Sequence, residues 1–245
     1  PSDVNAYSLE VAKDQSTSAG NGNLGGYEAS DFLWGKSENV TPTDKTIKLP
    51  MYHRMSNIRV TLAMGDGFTE SQWAAVTKNI LVMSTIRKSV INLADGSVRT
   101  DGSASATPIT PYKNGSEFRA IVVPQTVAAN SPLFNITVDG VNYSFTKSEA
   151  FTYTQGKMNN FTIKVDKKSV SGQYSFTLVD ESITAWEADT FTHEGTAKEY
   201  VIINCPEGGK LSASIKAAGK DYTRLQNMKV TGTINANDFF FMRDS

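Results

Sequence analysis

The residue types that most often carry catalysis or metal binding are scarce in this sequence. It holds two histidines, His53 and His193, and one cysteine, Cys205. His53 lies on an apolar face between methionines, where we expect a hydrogen-bonded core histidine, since a catalytic base needs an acidic or hydroxyl partner aimed at it. His193 has no second ligand at metal spacing, and no base accompanies Cys205 to make it a nucleophile. The sequence therefore predicts no catalytic, cofactor-binding or metal-binding residue, and no cofactor.

Aspartates and glycines recur in the loops, where they have an ordinary explanation. Aspartate beside glycine is typical of turns; the alternative, a calcium site, lacks the oxygen-ligand spacing of an EF-hand. The glycine-rich stretch 20–26 lacks the Lys-Ser/Thr ending of a phosphate-binding loop and is interpreted as a linker. Asn-x-Ser/Thr triplets at Asn39 and Asn135 would matter only in eukaryotic secretion. The aspartates in question are Asp44, Asp66, Asp95, Asp101 and Asp139.

The aromatic residues allow two interpretations. Trp34, Trp73 and Trp186, together with Tyr27 and Tyr112, could form a platform on which sugars stack. These residues are far apart in the sequence, so packing in the core or between sheets is favoured for the tryptophans. An exposed, coplanar arrangement on one sheet or loop tip would be needed for sugar binding.

The overall composition excludes several classes of protein. Lys plus Arg number 24 and Asp plus Glu number 25, giving a net charge of −1, so the basic excess that nucleic-acid binding requires is missing. A hydrophobic content of 39% argues against intrinsic disorder. No apolar run approaches the roughly 18 residues of a membrane span, and a single cysteine cannot form an intrachain disulfide framework.

Most of the chain has the pattern of short β-strands separated by Gly, Pro and Asn turns. Alternating apolar residues predict a strand over 47–55, and a change of parity predicts a bulge or break near Ser56-Asn57. Asp139-Gly140 predicts a two-residue hairpin turn, and Thr69 with Gln72 predicts a capping box that opens a helix over 70–78. The fold class predicted is all-β, built as a β-sandwich. Further strands are predicted over 79–85, 89–93, 117–123, 133–138, 141–145, 151–153, 160–165, 174–178 and 183–186.

Changes in composition divide the chain into three regions. Residues 1–30 are poor in large aliphatic side chains and predict a loose N-terminal arm with a short strand near 5–11. Residues 31–187 form the predicted β-sandwich region. Residues 188–245 begin as a polar linker and continue with a strand over 200–204 and helical spacing over 210–218. Because the chain starts at Pro1 and stops after three consecutive phenylalanines, we expect it to be a piece of a longer protein.

Several short sequences occur in the order in which a known family has them. They are 52–62, 92–98, 118–125, 134–140, 156–157 and 183–186. On these pieces, residues 31–187 resemble the fimbrillin-type domains of Bacteroidetes. The resemblance implies transthyretin-like β-sandwiches on the cell surface, commonly anchored by lipid to the outer membrane, in a family whose pilins polymerise by strand exchange. This chain has neither the leader nor the lipidated cysteine of that family, so an adhesin with a fimbrillin-like stalk fits better than a shaft subunit.

The C-terminal part resembles a second family. Residues 209–216 and 225–244 are similar to the start of a BspA-type leucine-rich-repeat array, where such a segment is the N-terminal cap. A repeat cannot bury its apolar face alone, so stacked neighbours are implied.

Both resemblances imply a non-enzymatic cell-surface adhesin or fimbria-related protein. It would act through protein–protein or β-strand-edge contacts, with surface, fimbrial or host proteins as partners and a membrane contact only through a lipid anchor absent from this chain. The alternative is a carbohydrate-binding β-sandwich module of a surface glycan-uptake system.

Overall fold

Strands dominate the computed structural model, which describes residues 4–17, 19–20, 22–38, 46–169, 172–187, 193–196, 200–225 and 227–244. The predicted all-β class is confirmed, with short helices as the minor component. The strands are β1 (Tyr7–Glu10), β2 (Leu33–Trp34), β3 (Thr46–Leu49), β4 (Tyr52–His53), β5 (Ser56–Met64), β6 (Lys78–Val82), β7 (Lys88–Asn92), β8 (Ser97–Thr100), β9 (Tyr112–Asn114), β10 (Glu117–Val122), β11 (Gln125–Val127), β12 (Pro132–Val138), β13 (Val141–Thr146), β14 (Phe151–Tyr153), β15 (Lys157–Lys167), β16 (Tyr174–Ala185), β17 (His193–Thr196), β18 (Tyr200–Cys205) and β19 (Asn227–Gly232). The α-helices are α1 (Glu70–Ala75), α2 (Leu211–Ala217) and α3 (Ala236–Asp244).

The chain divides into two units. Unit 1 takes residues 1–35 and 51–190, and unit 2 takes residues 36–50 and 191–245. This division differs from the expected one in two places. The expected N-terminal arm is part of unit 1, and residues 36–50, expected within the sandwich region, belong to unit 2.

Unit 1 is built from sheets that enclose one hydrophobic core. Its largest sheet has the order β16-β15-β5-β10-β9, in which β5 and β15 run parallel and the other neighbours antiparallel. Unit 1 also contains two three-stranded sheets and two strand pairs. The sheets have the orders β13-β12-β6 and β1-β7-β8, and the pairs are β11-β14 and β2-β4. The rings of Phe134 on β12 and Phe161 on β15 lie 5.1 Å apart, so the inner faces of two sheets meet as in a β-sandwich.

Local sequence signals are confirmed at three places in unit 1. Asp139 and Gly140 have φ angles of 51° and 79° and join β12 to β13, as a type I′ hairpin turn requires. Thr69 and Gln72 form the predicted capping box, although α1 ends at Ala75 because β6 begins at Lys78. The predicted break lies between the end of β4 and the start of β5.

Two strand predictions are wrong in their extent. The strand predicted over 47–55 is divided between β3, which pairs with β17 in unit 2, and β4, which pairs with β2 in unit 1. Pro50 lies between them and lacks the N–H that a continuous ladder needs. Conversely, the segments 174–178 and 183–186 lie mostly in one strand, β16, which opposes β15 with an irregularity next to Val179.

Unit 2 contains a small β-α-β arrangement. Strands β18 and β19 pair in parallel, with α2 between them in the sequence, as a parallel pair requires. Its core includes Ile203, Leu211 and Ile215. The side chain of Asp238 at the start of α3 is buried and accepts backbone N–H groups of Gly209, Leu211 and Asn235. Neither β19 nor α3 was expected from the sequence.

No helix among the described residues is long and apolar enough to span a membrane.

Candidate interaction site

The N-terminal segment, defined here as residues 7–17, is bonded into unit 1. Strand β1 pairs antiparallel with β7 at the edge of a sheet, and Val11 beyond it is fully buried. The backbone of the segment continues along Thr110, whose N–H donates to the Lys13 carbonyl at 2.9 Å and whose carbonyl accepts from Gln15 at 2.8 Å. The short strand expected near 5–11 is therefore confirmed as β1, but residues 7–17 are packed against unit 1 and are not a loose arm.

Gln15 fixes this segment to the neighbouring sheet through its side chain. Its Oε1 accepts the N–H of Ile121 at 2.8 Å, and its Nε2 donates to the Ile121 carbonyl at 2.8 Å. Strand β9 pairs with β10 as far as Arg119, so the Gln15 amide continues the hydrogen bonding of β10 where β9 ends. No polar periodicity in the sequence marks this role.

A second set of polar contacts holds the segment to β7. Arg87 Nη1 donates to the Val11 carbonyl at 2.8 Å, and Arg87 Nη2 pairs with Glu10 at 2.6 Å. Ser89, which is buried, donates to the Leu9 carbonyl at 2.8 Å. Arg87 directly precedes β7 and Val11 directly follows β1, so these side-chain bonds add to the backbone ladder that holds the segment at the sheet edge.

The longest open strand edge among the described residues belongs to β16. This twelve-residue strand pairs only with β15. The N–H of Trp186, just after the strand, donates to the Gly156 carbonyl at 3.0 Å, so by alternation the N–H of Ile183 points away from β15. Ile183 is 51% exposed. The edge therefore offers unpaired backbone groups and apolar surface to another chain.

His53 makes specific contacts instead of lying in an apolar core. Its Nδ1 is 2.7 Å from Oδ2 of Asp31, and its ring is stacked on Trp186 with centroids 3.9 Å apart. An acidic partner was not expected. An Asp–His pair forms part of a catalytic triad, but no hydroxyl or thiol of the described residues bonds the His53 ring. The Asp31–His53 pair and the stack of His53 on Trp186 together link the residues ahead of β2 to the residue that follows β16.

Each tryptophan ring is covered by a cationic or histidine side chain. The guanidinium of Arg54 lies 4.6 Å from the Trp34 ring centroid, and Nζ of Lys78 lies 4.2 Å from that of Trp73. The Trp186 ring faces His53. The remaining aromatic pair, Tyr27 and Tyr112, has centroids 6.0 Å apart and inclined rings. The described residues thus do not present the three tryptophans as one coplanar platform.

The loop aspartates form turns where the structure describes them. Asp95 accepts the Ser97 N–H at 2.8 Å, and Asp101 accepts the Ser103 N–H at 3.0 Å. Hydrogen bonds from the side chain and backbone of Ser97 hold the pKa of Asp95 below its usual value. Asp66 also lies in a turn, followed by Gly67 at a φ of 80°, and its carboxylate is 3.4 Å from Lys164. The interpretation as turn chemistry is confirmed for Asp66, Asp95, Asp101 and the hairpin Asp139.

The remaining candidate residues are scattered. Cys205 is buried in unit 2, where its Sγ lies 3.2 Å from the Glu207 carbonyl. His193 begins β17, and Asn135 on β12 accepts a hydrogen bond from Ser144. Within the described ranges, no three His, Cys, Asp or Glu side chains are grouped as metal ligands. Asn39 and Asp44 lie outside the described residues.

Comparisons with known proteins identify relatives of unit 1. A family model described as fimbrillin-like matches residues 1–186. A candidate cell adhesion protein of Bacteroides uniformis has a similar structure, with a TM-score of 0.51 and 12% identity over 76% of this chain and 68% of that chain. A second such protein, from Bacteroides ovatus, gives a TM-score of 0.40 and 13% identity over 57% and 48%. The tip fimbrial protein Mfa3 of Porphyromonas gingivalis, with a C-terminal truncation, gives a TM-score of 0.37 and 11% identity. That match covers 56% of this chain and 52% of Mfa3.

No match was found among curated proteins. The structural likeness to the Bacteroides uniformis protein shows a shared fold, and the family model covers well over half of the chain. This chain therefore belongs to the fimbrillin-like family.

Proposed function

We propose that this protein is a non-enzymatic cell-surface adhesin or fimbria-related protein that acts through protein–protein or β-strand-edge contacts. Its membership of the fimbrillin-like family over residues 1–186 is the observation that carries the proposal. The fold shared with a candidate cell adhesion protein of Bacteroides uniformis supports it. The partners are other surface or fimbrial proteins, or host proteins.

The edge of β16 is the contact surface we propose. An incoming extended segment would bond its free N–H and carbonyl groups, and alternate side chains would give specificity. The irregularity at Val179 and the acidic residues Asp180 and Glu181 interrupt this edge. Such features discourage indiscriminate pairing, so the edge is suited to a partner shaped for it.

Proline substitution at the outward position tests this contact. Ile183→Pro removes an N–H that points away from β15, whereas Ile183→Ala keeps the N–H and shortens the side chain. We expect Ile183→Ala to remain associated with filaments sheared from the surface of the native cells, and Ile183→Pro to be lost from them. Retention of Ile183→Pro, with its urea unfolding midpoint unchanged, would contradict the strand-edge mechanism.

The location follows from the family and needs its own test. A cell-surface position on the outer face of the outer membrane, reached through a lipid anchor, is part of the proposal. Protease added to intact native cells should degrade the protein while cytoplasmic markers survive. Recovery of intact protein only in the cytoplasmic fraction would reject the surface role.

Two finer features of the proposal concern architecture. The sandwich of unit 1 is of the transthyretin-like type, and residues 188–245 are a linker followed by the N-terminal cap of a leucine-rich-repeat array. In support of the second, β18 and β19 pair in parallel with an offset of about 27 positions, within the period of such repeats. A complete coding sequence without further repeats of that period beyond residue 245 would contradict the cap.

A further inference from the structure

A groove of about 530 Å3 lies between two strand edges of unit 1. One wall is formed by residues 73–79, which run from the end of α1 to the start of β6, and the other by Lys113, Gly115 and Ser116 on β9 and the turn to β10. Strands β6 and β9 are edge strands of different sheets. The groove is therefore a product of the fold and contains no residue of the N-terminal segment or of the β16 edge.

Two lysine side chains are held in this groove by backbone carbonyls. Lys78 Nζ donates to the carbonyl of Trp73 and lies 4.2 Å from the centroid of its ring. Lys113 Nζ donates to the carbonyl of Lys78 at 3.0 Å. An ammonium group has three N–H donors, so both lysines keep donors for a ligand while their positions are fixed by the protein.

The positive charge of the groove is not balanced by its own residues. None of the lining residues is acidic, and no ion pair of Lys78 or Lys113 occurs among the described residues. The neighbouring Glu117 pairs with Arg119 and Arg59 instead. Burial lowers the pKa of Lys78, and the charge of Lys113 lowers it further. A negatively charged ligand would relieve this repulsion.

The rest of the lining determines what kind of anion fits. Thr77, Asn79 and Ser116 bring hydroxyl and amide groups and are exposed, and Trp73 contributes a half-buried aromatic wall. The volume lies within the range of about 300–1,000 Å3 that small-molecule sites occupy. A uronic acid has a group for each part of this lining: a carboxylate for the lysines, hydroxyl groups for the polar side chains and an apolar ring face for the Trp73 ring.

We propose that this groove binds a carboxylated sugar of an acidic glycan, with the ammonium groups of Lys78 and Lys113 on the carboxylate and the hydroxyl and amide groups of Thr77, Asn79 and Ser116 on the sugar hydroxyls. This inference goes beyond the adhesin proposal, since it names a ligand class and a site that strand-edge contact does not use.

Calorimetric titration of the full chain with digalacturonic acid tests the site. We expect a dissociation constant of about 1 mM or tighter and a change in tryptophan fluorescence that Trp73→Phe abolishes. Lys78→Gln and Lys113→Gln should each weaken binding about tenfold or more. The matched control is Lys13→Gln, which removes the same charge from an exposed lysine outside the groove and should bind as the parent protein does.

Three results would overturn the inference. The first is absence of binding at a digalacturonic acid concentration 10-fold above the expected dissociation constant. The second is equally tight binding of the neutral disaccharide lactose. Tighter binding of a tetraglutamate peptide would assign the groove to acidic peptides. Because Lys78 also contacts α1, the test relies equally on Lys113→Gln, with the urea unfolding midpoint of each variant as the folding check. None of these results bears on surface location, which intact-cell proteolysis tests separately.

Discussion

Replacing Gln15 by alanine tests whether the N-terminal segment is a structural part of unit 1. Gln15 is fully buried and is bonded through its side-chain amide to both backbone groups of Ile121. Ile121 is also buried. Gln15→Ala would leave the N–H and the carbonyl of Ile121 without partners, at the point where β9 no longer pairs with β10.

The expected loss of stability follows from these two bonds. A buried polar group left unsatisfied costs about 1–3 kcal/mol, and part of that cost is recovered if water enters the space vacated by the side chain. We therefore expect Gln15→Ala to lower the free energy of unfolding by about 3 kcal/mol. With a urea m-value of about 2 kcal/mol/M for a unit of this size, the midpoint should fall by about 1.5 M.

Tryptophan fluorescence in urea is the appropriate assay, because Trp34, Trp73 and Trp186 all lie in unit 1. Gln15→Met keeps the length of the side chain without its amide, so it should lose nearly as much stability as alanine. Gln173→Ala, at an exposed position, should change the free energy by less than about 0.5 kcal/mol. A midpoint for Gln15→Ala within about 0.3 M of the parent protein would refute the reasoning and return the segment to the status of a loose arm.

Three further substitutions probe other parts of the structure. Gly96→Ala should cost about 2–4 kcal/mol in the same urea assay, because a Cβ there would lie 2.6 Å from the Trp34 ring at a φ of +72°; Gly115→Ala, with a φ of +62° and open space around its Cβ, should cost only about 1 kcal/mol. Tyr153→Phe should leave stability unchanged or raise it by about 1 kcal/mol, because the buried hydroxyl has no hydrogen-bond partner among the described residues; a loss above 1 kcal/mol would reveal a partner. Asp238→Asn should destabilise unit 2 at pH 7, as measured by amide hydrogen exchange in α2. Backbone N–H groups, that of Gly209 first, lower the pKa of Asp238, so its contribution is complete above the unfolded value near 3.8 and is lost as the pH falls through the folded value; an effect that persists undiminished at pH 2 would contradict this.

The features that sequence patterns predicted well are those decided by neighbouring residues. The turn at Asp139-Gly140 needs two residues that tolerate positive φ, and both have it. The capping box of Thr69 and Gln72 is complete within four residues. Strands β12, β13 and β14 likewise lie within one or two residues of their predicted limits, because each alternates between core and solvent and is bounded by a turn.

The features that were missed depend on contacts between distant residues. The burial of the N-terminal segment comes from bonds to Arg87, Thr110 and Ile121, which no local pattern reveals. The strand predicted over 47–55 has one apolar parity throughout, yet its two halves pair with different units. Parity records which face is apolar and carries no information about the partner strand.

The candidate sites, too, depend on contacts between residues that are distant in the sequence. Composition indicated no cluster of reactive side chains, and it gave no sign of Lys78 and Lys113 either. These two lysines are 35 positions apart and meet where β6 and β9, the edge strands of two sheets, come together. The Asp31 partner of His53 was also not predictable, because Asp31 approaches His53 only through the pairing of β2 with β4. Lysines are common on surfaces, so a groove that joins two of them has no signature in a single sequence.

Glutamine side chains bond backbone groups of unit 1 at places where its short strands end. Gln125 bonds both the N–H and the carbonyl of Ile86, at 2.8 and 3.0 Å, as Gln15 does for Ile121. Gln155 accepts the N–H of Val98 at 3.0 Å and donates to the carbonyl of Gly96 at 3.1 Å. A primary amide carries one acceptor and two donors, so it can replace a residue of a missing strand. These amides bond backbone groups where strand pairing stops. At the start of β16 the Tyr143 hydroxyl likewise accepts the N–H of Tyr174 at 3.2 Å, whereas no side chain among the described contacts bonds the outward N–H of Ile183. That contrast is why we place the intermolecular contact at β16.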